Sequence, residues 1–325
     1  MKINYLISTL LLMLLSMGVY AQKEKEPYVV IKGGTATFYY NANKPSEALP
    51  LQSIGDFQEL VPWSEDVRLS VSKAVFDPSF KDFKPVSCAC WFYGLENLTT
   101  ILGMKEYLNT EKVTSMHSMF SGCEKLTSID VMNFNTANVQ DMGGMFAGCS
   151  SLISIDVSHF NTEKVTDMSG MFILCDNLTS IDVTNFKTAN AQDMSEMFSG
   201  CCSLISIDVS HFNTEKVERM SHMFRCCCKL TSLDLSSFHT KKLWSISEMF
   251  LSCINLRTIY VSDGWNTDSV EEDYFDVFLN CENLVGGKKT SYSDYLSGAY
   301  DEFDELDLAR IDGGKSSPGF FTKKK

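Results

Sequence analysis

The sequence has few of the residues that mark fibrous or low-complexity chains. Glycine and proline number 19 and 7 among 325 residues, which excludes a collagen-like or low-complexity chain. The 12 cysteines are too small a share for a small domain held together by disulfides. Hydrophobic residues reach 44%, enough to build a buried core, so the chain as a whole is not disordered.

Basic residues are also scarce. Lysine and arginine number 28 against 41 aspartates and glutamates, and the formal net charge is −13. A phosphate backbone attracts the opposite sign of charge, so we do not expect nucleic acid as a partner. The acidic balance instead favours basic partners or cations.

The sequence offers little for catalysis or metal binding. Among its five histidines, none sits in a unit that also carries a placed nucleophile and an orienting acid, as hydrolysis would need. No Cys-x-x-Cys pair is present, so a zinc site is not expected. We therefore predict no enzyme activity, no cofactor and no metal site.

One long apolar run is present, at the N-terminus. It extends over Tyr5–Val19 after Lys2, and Val19-Tyr20-Ala21 places small residues at the −3 and −1 positions of a cleavage site. The run is short for a membrane anchor, so we interpret residues 1–21 as a secretory signal peptide. The mature chain, from Gln22, is expected to be secreted or displayed at the cell surface without a transmembrane segment.

The rest of the chain is dominated by a repeat of 26 residues. Met-Phe pairs recur at that step, and cysteine and leucine columns keep it: Met119, Met145, Met171, Met197, Met223 and Met249, with Cys123, Cys149, Cys175, Cys201, Cys227 and Cys253. Blurred copies lie 28 residues before the first pair, at Trp91-Phe92, and 28 beyond the last, at Val277-Phe278. Atypical terminal units are typical of stacked repeats, whose open ends would expose the core.

The hydrophobic period changes within each unit. Ser154–Ser158 alternates polar and apolar residues, which predicts a short strand. In Met168–Cys175 the apolar residues fall at i, i+3, i+4 and i+7, which predicts a short helix. A unit of this size cannot bury its own apolar face, but stacked neighbours can. We therefore predict an α/β fold: a leucine-rich-repeat-like solenoid of about seven coils, each with one short parallel strand and one short helix.

The flanks of the repeats have a different character. Tyr28–Ile31 and Thr35–Tyr40 are apolar and aromatic, and the glycines between them predict a hairpin, while Val67–Phe76 is a candidate for another strand. After Leu284 the chain becomes glycine-rich and polar. The predicted segments after the signal peptide are an N-terminal β cap running into the first coil (22–87), the solenoid (88–286), and a C-terminal cap and tail (287–325).

The repeat resembles that of the BspA-like leucine-rich-repeat proteins, in the 26-residue variant of bacterial surface proteins from Bacteroidetes and mycoplasmas. The flanks are similar as well, in the segments WFYGLENL (91–98), IYVSDGWNT (259–267), LVGG (284–287), ARIDGG (309–314) and PGFFT (318–322). The resemblance covers nearly the whole mature chain and implies a leucine-rich-repeat-like solenoid that is secreted or on the cell surface. Some members of the family are implicated in adhesion to host matrix proteins or to other bacteria.

An aspartate recurs in the predicted strand of five units. We call this column the Asp strip: Asp130, Asp156, Asp182, Asp208 and Asp234. Because it alternates with apolar residues, it should face outward, where like charges about 5 Å apart repel unless something offsets them. Hydrogen bonds from neighbouring serines are one explanation, and a binding strip for a basic protein surface or for cations is the other. His159 and His211, beside the strip, and Tyr260, the one aromatic on this face, are further candidate contacts, with a solvated turn as the alternative for the histidines.

The cysteine column, which also includes Cys281, should point inward. An odd number of thiols cannot all pair, so we expect buried free thiols that behave as small hydrophobes. Cys202 and Cys228 lie outside the column and share a position one coil apart. Coil spacing is within disulfide reach, so a bridge between them is one hypothesis and two free thiols the alternative.

These features predict a non-enzymatic binding protein that uses the exposed sheet face for adhesion or protein–protein interaction. The expected partner is a host matrix protein or another bacterial surface protein. The alternative is a glycan-binding module for coaggregation or nutrient capture. Sugar sites usually stack rings on exposed aromatics, whereas this face carries serine, threonine and aspartate, which favours a protein partner.

Overall fold

The computed structural model describes residues 23–51, 63–270, 274–300 and 302–324. The predicted signal peptide lies outside these residues. Within the described ranges, no helix is both long and apolar enough to cross a membrane. The described residues are of mixed α/β type, with two sheets, few helices and a long series of turns between the sheets.

The first sheet has five strands in the order β3-β1-β2-β4-β5. They are β1 (Glu26–Lys32), β2 (Thr35–Asn41), β3 (Leu49–Pro50), β4 (Lys73–Phe76) and β5 (Thr100–Leu102). Strand β1 pairs antiparallel with β2 and β3, whereas β4 is parallel to β2 and β5 is parallel to β4. The sheet therefore passes from an antiparallel hairpin into the parallel pairing that suits stacked repeats.

The predicted hairpin is confirmed. Strands β1 and β2 turn through Gly33 and Gly34, both with positive φ (56° and 72°), so that Lys32 faces Thr35. A two-residue turn with positive φ at both positions matches the twist of the flanking strands, and glycine adopts it without strain.

The strand expected over Val67–Phe76 forms only in its second half, as β4. Helix α1 (Glu65–Ser70) occupies the first half, and its acidic residues in the first turn and basic residue in the last complement the helix dipole. A 3-10 helix, Pro78–Asp82, follows β4 and places the ring of Phe80 in the core.

Consecutive repeats lie side by side and are joined by parallel backbone bridges one repeat apart. The bridges are Ser87↔Ser115, Ser115↔Asp141, Asp141↔Asp167, Asp167↔Asp193, Asp193↔Arg219 and Arg219↔Ser245. Hydrogen bonds between repeats continue along the following segment, as from the Phe120 N–H to the Met145 carbonyl at 2.9 Å. Equivalent residues are thereby held close to strand spacing.

The segment predicted as a helix is a series of tight turns, so that prediction is wrong. Its N–H groups alternate between two kinds of acceptor: Cys175 donates to the Phe172 carbonyl at 3.2 Å, whereas Phe172 donates to Met197 of the next repeat at 3.0 Å. Gly170 and Leu174 have φ of 56° and 57°, which is incompatible with a right-handed helix. The helix-like spacing therefore arises from turns that return apolar side chains to the core every three or four residues.

The predicted strand Ser154–Ser158 keeps the expected alternation of burial but is not paired as a strand. Ile155 and Val157 are buried, and Asp156 between them is exposed. At equivalent positions in the described repeats, strands form only near the two ends, in β5, in β6 (Ser232–Leu235) and in β7 (Thr258–Val261). The prediction of one strand per coil therefore holds for some coils. In the others the same segment is not assigned as a strand.

Identical side chains stack in columns inside the repeats. Each phenylalanine of a Met-Phe pair lies against its equivalent in the next repeat, with ring centroids 5.0–6.1 Å apart and ring planes within 14°. Such aromatic pairs contribute about 0.5–1.5 kcal/mol each beyond the burial of their area. The column consists of Phe92, Phe120, Phe146, Phe172, Phe198, Phe224, Phe250 and Phe278.

The cysteine column is buried and its thiols are free, as predicted. Each thiol donates to the carbonyl of a phenylalanine in the preceding repeat, at Sγ–O distances of 3.0–3.3 Å.

A buried threonine also links neighbouring repeats through hydrogen bonds to the backbone. The hydroxyl of Thr136 accepts from the Asn161 N–H at 2.7 Å and donates to the Asn161 carbonyl at 3.0 Å.

The second sheet lies at the other end of the repeats, in the order β6-β7-β8, with all strands parallel. Before β8 (Phe321–Lys323) come helices α3 (Tyr292–Leu296) and α4 (Glu305–Leu308); α2 (Met104–Tyr107) lies beside β5. Two of the flank segments that carry the family resemblance, LVGG (284–287) and ARIDGG (309–314), meet near one buried carboxylate. Asp312 accepts hydrogen bonds from the N–H groups of Lys288, Thr290 and Gly314 and from the Thr290 hydroxyl.

One residue near the end of each turn segment has a left-handed backbone conformation. Gly148 and Gly200 occupy this position with φ of 65° and 74°, but Leu174 fills the equivalent place with φ of 57° and an exposed side chain. A non-glycine residue in this conformation is strained, so Leu174→Gly should stabilise the fold by about 0.5–1 kcal/mol in urea unfolding. The matched control is Gly148→Ala, which has room for a Cβ and should lose about 1 kcal/mol. A loss of stability in Leu174→Gly would show that its packing outweighs the strain.

Candidate binding face

The Asp strip faces outward, as the sequence predicts. Its first four members are exposed, and Asp234, at the end, is half-buried. Ile155 and Val157 on either side of Asp156 point inward, with exposed fractions of 8% and 0%. The face therefore presents one carboxylate per repeat over a continuous apolar layer.

Hydrogen bonds within each repeat hold the three central carboxylates in place. Asp156 Oδ1 accepts from the Ser158 N–H at 3.0 Å and from its hydroxyl at 2.6 Å. Asp182 and Asp208 are held in the same way by Thr184 and Ser210. The donor is always the residue at the second position after the aspartate. Two of these donors, Ser158 and Ser210, are among the serines expected from the sequence, and the third is Thr184.

These hydrogen bonds explain how like charges stand one repeat apart. The hydroxyl and N–H donors of Ser158, Thr184 and Ser210 stabilise the ionised form, so the pKa of each central carboxyl lies below its usual value. In Asp182 the lowering prevails although the neighbouring Asp156 charge acts to raise its pKa. The strip is therefore fully ionised at neutral pH.

The two ends of the strip are neutralised by lysines. Asp130 pairs with Lys105 at 3.0 Å, and Asp234 pairs with Lys324. Among the described residues, no lysine, arginine or histidine lies within 4 Å of the carboxylates of Asp156, Asp182 or Asp208. A shallow groove of about 460 Å³ runs between the first two of them, lined by serines and by the edges of Ile155 and Ile181. The unpaired negative charge is thus confined to the centre of the strip.

The two candidate histidines each contact a backbone carbonyl of the preceding repeat. His159 Nε2 lies 2.9 Å from the Val131 carbonyl of the preceding repeat, and His211 Nε2 lies 2.8 Å from that of Val183. Both distances fit hydrogen bonds in which the ring N–H donates. These contacts join neighbouring repeats, so the histidines border the strip without turning Nε2 towards it.

Tyr260 is 37% exposed and continues the line of the strip. In the pairing of β6 with β7 it stands directly opposite Asp234. The structure therefore brings the one aromatic candidate next to the last carboxylate, which is already paired with Lys324.

A second acidic column was missed by the sequence analysis. Asp141, Asp167 and Asp193 occupy successive bridge positions, with Arg219 next in the column and His117 beside its first carboxylate. His117 Nδ1 lies 3.2 Å from Asp141, and this hydrogen bond raises the pKa of the imidazole, while Arg219 pairs with Asp193 at 2.6 Å. The sequence signal for this column is the Asp-Met pair that recurs every 26 residues in these three repeats. In the part of the chain that the structure describes, no group of three or more His, Cys, Asp or Glu side chains could hold a metal ion.

The family model described as "Mycoplasma protein of unknown function, DUF285" matches residues 87–203 and 175–287. The chain belongs to this family. It is a BspA-like repeat family, so the resemblance inferred from the repeat is confirmed. Proteins of this kind are generally non-enzymatic and typically located at the surface, which suggests a surface module for protein–protein interaction.

A solved structure of a leucine-rich repeat protein from Bacteroides ovatus ATCC 8483 is similar to this chain. The two share 16% sequence identity, with 80% of each chain covered and a TM-score of 0.38. No curated protein matches the sequence significantly.

The hydroxyl donors of the strip can be tested one at a time. Thr184→Val keeps the shape of the side chain and the backbone N–H but removes the hydroxyl, so the pKa of Asp182 should rise towards its ordinary value. Because the folded-state pKa of Asp182 is the lower one, its stabilising contribution exists above the unfolded pKa and is lost as the pH falls through the folded pKa. The variant should therefore lose less stability over that acid range than the wild type.

Carboxyl NMR titration measures this pKa directly. Asp130, which depends on Lys105, is the internal control and should titrate unchanged in the variant. An Asp182 titration identical to that of the wild type would mean that the hydroxyl does not stabilise the carboxylate.

Proposed function

We propose that this protein is a secreted or surface-displayed, non-enzymatic binding protein that recognises the basic surface of a protein partner through the Asp strip. The observation that carries the proposal is the row of Asp156, Asp182 and Asp208, which are exposed, ionised, held by hydroxyl donors and unpaired with any cation of the described residues. A partner with a matching row of lysines or arginines would supply the missing counter-charges.

The architecture that we propose for this role is a leucine-rich-repeat-like solenoid of about seven coils. Residues 22–87 would form the N-terminal β cap and residues 287–325 the C-terminal cap and tail. Parallel bridges at a step of 26 residues and the stacked phenylalanine column support the solenoid. A face of this kind has a carboxylate in five successive coils, so its affinity depends on how many of them the partner spans.

Pre-organised side chains suit such a surface. Each central carboxylate is already fixed by two hydrogen bonds, so little side-chain freedom would be lost when a partner binds. The chemistry of the face also supports a protein rather than a glycan partner, because serine, threonine and aspartate line it and, among the residues described, Tyr260 is its one exposed aromatic. Adhesion to a host matrix protein or to another bacterial surface protein would use the same contacts.

The test compares two triple variants of the full-length protein. Asp156→Asn, Asp182→Asn and Asp208→Asn together remove the central charges, and we expect the affinity for a basic partner to fall about tenfold. The matched control, Glu124→Gln, Glu163→Gln and Glu215→Gln, removes three exposed charges elsewhere and should bind as the wild type does. Binding to immobilised purified extracellular proteins, with basic and acidic members of similar size, provides the measurement.

Salt and a glycan array complete this experiment. Binding through exposed charges should weaken steeply as ionic strength rises, because the Debye length shortens to about 3 Å at 1 M salt. Equal affinities for the two triple variants would overturn the role of the strip. A signal on the glycan array without any on the protein panel would favour the glycan-binding alternative instead.

A further inference from the structure

Three of the twelve cysteines stand apart from the buried column. Cys202, Cys226 and Cys228 are half-buried, whereas the other nine are buried. All three lie at the junction of two neighbouring repeats, where the Gly200 N–H donates to the Arg225 carbonyl at 2.7 Å. The three thiols therefore form one cluster that solvent reaches.

The buried column shows what an inert pair looks like in this fold. Cys201 and Cys227 are neighbours in the same two repeats, with the same separation of one repeat. Each donates its S–H to a phenylalanine carbonyl, at 3.3 Å and 3.2 Å, and burial raises the pKa of both thiols far above its ordinary value. A thiol that is buried, protonated and hydrogen-bonded to the backbone does not exchange with a disulfide in solution.

Cys202 and Cys228 have the same spacing, but both thiols are half-buried and close enough to act on each other electrostatically. Ring centroids of Phe198 and Phe224 in the same two repeats are 5.9 Å apart, which indicates a repeat spacing within the Cα separation of 4.4–6.8 Å typical of disulfides. The repeat spacing and the access of solvent to both thiols therefore suit a bond between the two sulfurs.

Cys226 is the third thiol and the competing partner. It occupies the left-handed position of its repeat, with φ of 56°; burial raises the pKa of its thiol, and the neighbouring Arg225 charge acts to lower it. Its carbonyl lies 3.3 Å from Cys228 Sγ, which places the backbone of Cys226, rather than its thiol, against that sulfur. Cys228 Sγ also lies 3.9 Å from the Ser252 carbonyl, so both of its contacts are with backbone oxygens and its thiol is free to react.

We propose that Cys202 and Cys228 are a disulfide-forming site that links two neighbouring repeats by exchange with a small-molecule disulfide. The thiolate of one cysteine attacks the small disulfide, forms a mixed disulfide and releases one small thiol. The second protein thiolate then attacks the protein sulfur of that mixed disulfide and releases the other small thiol. Two protein thiols are oxidised to one disulfide, the small disulfide is reduced to two thiols, and the two protein S–H protons end on the released thiols.

The bond would be a covalent cross-link between two neighbouring coils. It closes a loop of one repeat, which restricts the unfolded chain and raises the thermal midpoint of unfolding by several degrees. Because the thiols must ionise before they react, and burial raises the pKa of Cys202 to about 11, formation should be slow at neutral pH and faster in alkaline solution. This inference does not depend on the function proposed for the Asp strip.

Peptide mapping of the full chain tests the proposal. The reduced protein is incubated with glutathione disulfide at about pH 10, where a measurable fraction of a thiol with a pKa of about 11 is ionised, and its free thiols are then alkylated. Trypsin releases Cys202 within residues 188–216 and Cys228 within residues 226–229. We expect these two peptides to be joined with the loss of two hydrogen atoms, to separate again with dithiothreitol, and to show the Cys202–Cys228 bond on fragmentation.

Serine variants assign the sulfurs independently. Ser150 fills the position of Cys202 and Cys228 in another repeat, and Ser252 fills that of Cys226, so the fold already accepts serine at these positions. Cys202→Ser and Cys228→Ser should each abolish the linked peptide and the rise in thermal midpoint, whereas Cys226→Ser should keep both. Unlinked peptides, stable glutathione adducts, or a link that fragmentation assigns to Cys226 or to the buried column would each overturn the proposal.

Discussion

The alternation of backbone donors is the constraint on which the rest of this structure depends. Within each repeat, one N–H closes a local turn and the next reaches the neighbouring repeat, as Met171 and Phe172 do with the carbonyls of Met168 and Met197. A helix would use every donor internally and leave none for the neighbour. Because half the donors point across the junction, the repeats are bound to a common spacing, and every side-chain column inherits it.

That spacing has two opposite consequences for the side chains. Inside, it brings phenylalanine rings into stacking contact and lets each buried cysteine meet a carbonyl of the preceding repeat. Outside, it places equal charges side by side, which is unfavourable. The repeat offsets this repulsion with a hydroxyl two residues after the aspartate, as Ser158 does for Asp156. The row of carboxylates is thereby stabilised while it stays exposed to solvent.

The parts of this structure that repeat in the sequence could be predicted, whereas hydrogen-bond partners could not. Burial of the Met, Phe and Cys columns and the outward direction of the Asp strip follow directly from spacing. The turn segment was misread as a helix because its apolar positions have helical spacing; the positive φ of Gly170 and Leu174 and the hydrogen bonds to the next repeat distinguish the two. Likewise, alternation predicted that Asp156 is exposed, but whether Ser154 or Ser158 donates to it depends on the local turn.

The fixed step also determines where the repeat tolerates change. Two extra residues between β5 and Thr110 are accommodated by α2, a single helical turn, after which Thr110 still donates to the Asn135 carbonyl at 3.2 Å. The insertion is absorbed before the turn segment begins, and the bridge Ser115↔Asp141 forms in the regular register. An insertion between Met142 and Cys149 would instead shift the alternating donors by one residue, so that those facing the neighbour would face the turn. The length of the turn segment is therefore under tighter constraint than that of the connection before it.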